Sequence, residues 1–216
     1  MAKEHTYDEK ERFKHFIELA TTIVIALATI ASAWCAYEAT RWGGIQTFRL
    51  VAAGAAGGKS TEKTLRAGQM RMIDGILFIE YLKAKNRKED ALSEFFYERF
   101  RPEAKRATDA WLATNPFQNP RAPAHPFIMK EYILEPEKEA KHLSKESSLR
   151  FNEARQANQN SDDYVMLTVL VASVMFFGGI STQFKTPKYR ITLLAIGAVV
   201  LSAALGLLVN YPIALE

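Results

Sequence analysis

Two long apolar runs, Tyr164–Phe184 and Ile191–Tyr211, constrain this chain more than anything else in it. Only Lys185-Thr186-Pro187-Lys188-Tyr189-Arg190 separates them, and apart from rim tyrosines neither holds an ionisable group. At about 1.5 Å of rise per residue each reaches roughly 30 Å as a helix, the thickness of a bilayer's hydrocarbon core. Helices this long and this free of charge are rarely core helices of a soluble domain. The pair reads as a transmembrane hairpin.

A third run, Phe16–Tyr37, is also long enough to span. Its one charge, Glu18, lies four residues after Lys14, a spacing that suits a pair at headgroup level. Ala31-Ser32-Ala33 resembles a signal-peptidase site, but the run continues through Trp34 to Tyr37 and the charged leader is long and half acidic. A lipoprotein signal fails because bulky Trp34 precedes Cys35. The run is therefore expected to be an uncleaved anchor.

Orientation follows from the short basic segments. Lys185, Lys188 and Arg190 crowd one loop, and Lys3, Lys10, Arg12 and Lys14 mark the leader, so both are expected in the cytoplasm. The fold class is an all-α membrane protein, three transmembrane helices with an extramembrane helical domain between the first and second. Its parts are a cytoplasmic leader (1–15), helix 1 (16–40), an extracytoplasmic domain (41–162), helix 2 (163–184), a cytoplasmic loop (185–190), helix 3 (191–211) and an outer tail (212–216).

The inserted domain is helical by pattern. Ile45, Phe48, Ala52, Ala55, Ile73, Ile76 and Leu77 fall near a helical repeat and predict a continuation of the first span past Gly43-Gly44. The Ala/Gly tract Ala52–Gly58 fits a loosened helix, a break, or a face packed closely on another helix. Phe95, Phe96, Tyr97 and Phe100 read as core, Pro102 opens a short helix through Trp111 and Leu112, and four prolines make Asn115–Phe127 extended. A helix from about Pro136 to Asn160 carries a thin stripe of Ala140, Leu143, Phe151, Ala154 and Ala157 and either loosens before Tyr164 or runs straight into the second span. By rise, Phe48 and Ala154 stand at similar heights, in an outer stalk continuous with the first two spans.

Charge excludes some functions. The net charge is +4, and the densest basic patch, Arg99, Arg101, Lys105 and Arg106, is interleaved with Glu98, Glu103 and Asp109. That is a solvated helix face, and no nucleic acid partner is expected. The lone Cys35 forms no intrachain disulfide.

Several segments carry a resemblance. Trp34-Cys35-Ala36-Tyr37 with Arg41-Trp42-Gly43-Gly44-Ile45-Gln46, then Phe96-Tyr97-Glu98-Arg99-Phe100-Arg101-Pro102-Glu103 and Ala110-Trp111-Leu112-Ala113-Thr114, form one set. Ala157-Asn158-Gln159-Asn160-Ser161-Asp162-Asp163-Tyr164 and Phe176-Phe177-Gly178-Gly179-Ile180 complete it. Together they are similar to an uncharacterised family of bacterial three-span integral membrane proteins. The resemblance covers nearly the whole chain and implies the same layout, hence the bacterial inner membrane, with no catalytic residues to transfer.

Site signatures are sparse. Ala53-Gly54-Ala55-Ala56-Gly57-Gly58-Lys59-Ser60 approximates a phosphate-binding loop with Lys59 and Ser60 in the charge and magnesium positions, but no βαβ context surrounds it. His5, His15, His125 and His142 lack ligand spacing, and Glu135, Glu137 and Glu139 suit a helix start. No enzyme activity, cofactor or metal is expected. Ala28, Ser32 and Ala36 (continued by Thr40), Ala198, Ser202 and Gly206, and Gly178 with Thr182 form small-residue stripes that permit close helix packing and predict a homo-oligomer. Glu18 and Glu38 are candidate pore-mouth charges, or rim residues paired with Lys14 and Arg41. Trp34, Tyr37, Trp42, Tyr164 and Tyr211 read as interfacial aromatics. The expected function is a non-enzymatic, homo-oligomeric membrane protein whose outer domain contacts a partner or the envelope, with membrane lipid and an extracytoplasmic protein as partners. The alternatives are an oligomeric cation channel and a sensor that needs a separate signalling partner.

Overall fold

The computed structural model describes the backbone of residues 2–214 and the side chains of residues 11–214. Lys3 and Lys10, which carried part of the charge reading, and His5, weighed as a metal ligand, lie outside the described side chains, as do residues 215–216 of the tail. The described chain is all-helical: α1 (Ala2–Asn86), α2 (Asp90–Glu98), α3 (Pro102–Leu112), a 3-10 turn (Pro126–Ile128), α4 (Glu135–Ser181) and α5 (Pro187–Asn210). Three of these helices are long and apolar enough to cross a membrane.

Both long helices run where local sequence left a choice. Gly43-Gly44 does not stop α1, and the polar stretch Asn158–Asp162 does not stop α4, which continues into the second apolar run. Stops occur where the backbone is redirected: Lys88 takes φ 60° after α1, and Asn115 takes φ 52° after α3, a conformation asparagine tolerates better than most residues. Two compact units result, Met1–Leu50 with Phe151–Glu216, and Val51–Arg150. The packing boundary thus falls about ten residues beyond the apolar boundary on each helix, at 50/51 and 150/151.

The first unit is a three-helix bundle. Ala28, Ala31, Cys35 and Ala39 of α1 meet Tyr164, Leu167, Val171 and Val174 of α4 and Leu201 and Ala204 of α5. The sets advance in steps of 3 or 4 residues, the spacing of helices packed side by side. Small residues on α1 face large ones on α4. Gly178 shows how close the helices come: a Cβ there would sit 2.7 Å from Ile25 Cγ1. Outward, Ile23, Leu27, Ile30, Val165, Val169, Phe176 and Val199 are exposed and apolar, the surface that hydrocarbon would cover. Arg49 pairs with Glu153 at 3.0 Å, so Phe48 and Ala154 do stand at one level.

The second unit packs α2, α3 and the 3-10 turn around the parts of α1 and α4 that belong to it. Its core holds Phe78, Tyr81, Phe100, Ala104, Ala107, Trp111, Tyr132 and Leu134. Of the four aromatics expected in the core, Phe100 is buried, Phe96 and Tyr97 are half-buried, and Phe95 is exposed beneath the Arg99 guanidinium, 3.4 Å from its ring centre. The Ala/Gly tract is helix. Ala53 and Ala56 are buried, Ser147 Oγ donates to Ala53 O at 2.8 Å, Ser60 Oγ donates to Ala140 O at 2.8 Å, and a Cβ on Gly57 would lie 3.2 Å from Ser147 Oγ. Close packing on α4 is therefore what the small residues serve. Its amides belong to the helix ladder, so no phosphate cradle forms at Lys59.

The expected continuation of α1 forms, but of its apolar repeat Phe48, Ala52, Ala55, Ile73 and Ile76 are exposed, with Phe48 79% exposed, while Ile45 and Leu77 are half-buried. The buried face of α1 is instead Ala53, Ala56, Ala67, Asp74, Phe78 and Tyr81. A polar residue at Asp74 hid this face from a hydrophobic pattern; it is buried because it has partners.

Candidate functional site

After Asn210 the chain leaves α5 with Tyr211 extended (φ −82°, ψ 141°), and Pro212 cannot donate to a helix ladder. The segment Tyr211–Ala214 turns back onto the bundle and is fixed by three donors. Trp42 Nε1 donates to Pro212 O at 3.0 Å, Tyr164 OH donates to the same oxygen at 3.3 Å, and Ala214 N–H donates to Glu38 Oε2 at 2.9 Å. The Tyr164 and Tyr211 rings meet edge to face, 5.7 Å between centres.

Glu38 is the centre of this arrangement. It is 0% exposed, and its Oε1 has no hydrogen-bond partner. A buried acceptor without a donor is costly. The i,i+3 pairing with Arg41 does not form: Arg41 is half-buried, its guanidinium 5.8 Å from the Tyr37 ring centre. Glu38 points into its own bundle, so it does not stand where a ring of carboxylates between subunits would need it.

Glu18 also finds other partners than the one expected. Its carboxylate lies 3.6 Å from His15 Nδ1 and 3.6 Å from Arg190 Nη1, whereas Lys14 lines a cavity beside it. Arg190 is buried, which the basic-loop reading did not anticipate. Among the aromatics, Trp34 and Tyr37 are exposed, with ring centres 5.9 Å apart. Tyr164 is fully buried and belongs to the bundle core. Of the small stripes, Ala28 is buried, Ser32 and Ala198 are half-buried, and Ala36, Ser202 and Gly206 face outward. The face that packs inside the chain is rotated to Ala31, Cys35 and Ala39 on α1 and to Gly197, Leu201 and Ala204 on α5.

A second polar cluster, missed from sequence, lies in the Val51–Arg150 unit. Arg101 Nε donates to Asp74 Oδ1 at 3.0 Å, its Nη2 donates to Oδ2, and Tyr132 OH donates to Oδ2 at 2.7 Å. Arg101 is thus an internal counter-ion, not part of a solvated face. Burial opposes its charge, but Asp74 outweighs this and holds the guanidinium above its ordinary value. Burial and Asp74 push the Tyr132 phenol up. Both carboxylate oxygens are satisfied, so this cluster is structural. Glu137 is held below the usual carboxylate range by Lys141 and Arg71, despite some burial. Among the described residues no group of His, Cys, Asp and Glu has the geometry to hold a metal. No family model matches this chain, and comparison with curated proteins and with solved structures finds no match.

Proposed function

We propose that this chain is a non-enzymatic, homo-oligomeric integral membrane protein of the bacterial inner membrane. Its N-terminus is cytoplasmic and residues 41–162 are extracytoplasmic, where the helical domain serves interaction or envelope organisation. The observation that carries the reading is an uncovered apolar seam on α1. Val51, Leu65, Met72, Ile76 and Ile79 are all exposed, and with Ala55, Gly58, Glu62 and Gln69 they recur in alternating steps of about 3 and 4 residues. Gly54, Gly58, Gly68 and Gly75 each have open space where a Cβ would go. Glycine inside a helix costs about 1 kcal/mol relative to alanine, and nothing within the chain compensates for it here.

The occupant is a second copy. Copies inserted in one membrane in the same sense align in parallel, which sets like seam positions against each other. Small residues at Ala55 and Gly58 then allow close approach. In the bundle unit Ala36, Ser202 and Gly206 face outward and permit close helix packing of their own. Met72→Cys should form an intermolecular disulfide in native membranes, and native mass spectrometry of lipid-extracted protein should give one oligomer. A monodisperse monomer without cross-linking would overturn this reading.

The sensor alternative draws on one observation, the Glu38 site, where Oε1 has no partner and Oε2 accepts from Ala214 N–H. The channel alternative, with Glu18 and Glu38 near pore mouths, has no comparable support, since Glu38 faces inward. Reconstituted protein is expected to pass no cation current across liposomes.

A further inference from the structure

At the Lys185–Arg190 end of the bundle lies a cavity of about 540 Å³ lined by Lys14, Glu18, Thr182, Phe184, Lys185 and Arg190. Three cations face one carboxylate. Arg190 is only 9% exposed, and its Nε has no hydrogen-bond partner. Its contact with Glu18, at 3.6 Å, is longer than a hydrogen bond. A buried guanidinium with donors left over needs an acceptor, and the single carboxylate does not saturate it. The amino end of α5 opens beside the cavity, with Thr186 as a cap residue that makes no side-chain capping bond, so the helix adds partial positive charge. Lys14 precedes the first apolar run by two residues, and Lys185 and Arg190 bracket the turn between the second and third. These residues share the headgroup depth of a bilayer.

We propose that this cavity binds a phosphate ester, its oxygens held by the Arg190 guanidinium and by the ammonium groups of Lys14 and Lys185, with Phe184 as the apolar wall. Arginine matches phosphate oxygens bidentately, whereas lysine supplies point charge. Glu18 holds Arg190 in place and limits the net charge, so a singly charged phosphodiester suits the site better than a dianion. An anionic phospholipid headgroup and a soluble phosphate both present this chemistry, and basic pockets at the ends of transmembrane helices are a recognised mode of headgroup binding.

The test uses the full-length chain, delipidated in neutral detergent. Equal amounts of phosphatidylglycerol and phosphatidylcholine are added and the bound lipid is read by native mass spectrometry. In parallel, the thermal midpoint is followed with and without millimolar inorganic phosphate. The expected result is phosphatidylglycerol retained over phosphatidylcholine, with Lys14→Gln and Lys185→Gln each weakening the preference about fivefold, the equivalent of roughly 1 kcal/mol per base. Arg190→Gln should abolish it. Both lysines are exposed, so their variants keep the test valid should Arg190→Gln fail to fold. Stabilisation by inorganic phosphate alone, lost in the same variants, assigns the site to a soluble phosphate. No preference and no stabilisation, or either effect unchanged in the lysine variants, overturns the proposal.

Discussion

Glu38 and Asp74 are both buried carboxylates, yet one lacks a partner that the other has in full. Removing Asp74 strands the Arg101 guanidinium and the Tyr132 hydroxyl together, so Asp74→Ala should cost about 3 kcal/mol in chemical denaturation. The same cluster sets an alkaline limit. Tyr132 titrates above its ordinary value of 10.0 in the folded chain, so its contribution is complete below that pH. It is lost as pH rises further, because the unfolded phenol ionises first. Circular dichroism against pH should show loosening only beyond this range, with a weaker slope in Tyr132→Phe. At Glu38, an amide would keep the acceptor for Ala214 N–H and place a donor where Oε1 has no partner. Glu38→Gln should therefore leave the last turn docked, while Glu38→Ala should release it and speed thiol labelling of Ala214→Cys about tenfold. Buried Cys35 adds little background. None of this was legible locally. The Glu38–Ala214 bond joins residues 176 positions apart, and spacing rules reach only one helical turn.

Helices were the legible elements, because their lengths follow from apolar runs, prolines and the absence of breakers. Their rotation was not. A stripe of small or apolar residues fixes a face without saying which partner it meets. Hence Ser202 and Gly206 turned outward, and Phe48 and Ile76 did too. Cβ space distinguishes the two kinds of glycine. Gly178→Ala drives a methyl into Ile25 and should destabilise the bundle by about 1–3 kcal/mol. Gly58→Ala meets nothing within the chain, so a monomer should gain about 1 kcal/mol from helix propensity. If a second copy packs on that seam, the same change should weaken association, and Leu65→Glu should abolish it. Analytical ultracentrifugation in detergent reads both.

At the scale of the molecule, the all-α class and three candidate spans follow from apolar runs long enough to cross a bilayer. The division into two compact units was legible only to within about a turn or more, since packing between α1 and α4 continues past the point where apolar residues end. Glu135, Glu137 and Glu139 illustrate a partial reading. They do begin a helix, but Glu137 also pairs with Arg71 at 2.6 Å, and Glu139 pairs with Lys63, contacts that need a second helix alongside.

The unbroken Ala52–Gly58 tract makes α1 a continuous screw, so every residue in it counts toward the angular phase of the helix beyond Gly58. Deleting one residue would turn all later side chains by about 100° and shift them by about 1.5 Å, taking Ala67, Asp74 and Phe78 out of the core together. Deleting seven would turn them by only about 20°. The tract is therefore fixed in length as well as in the small size of the residues it buries at Ala53 and Ala56.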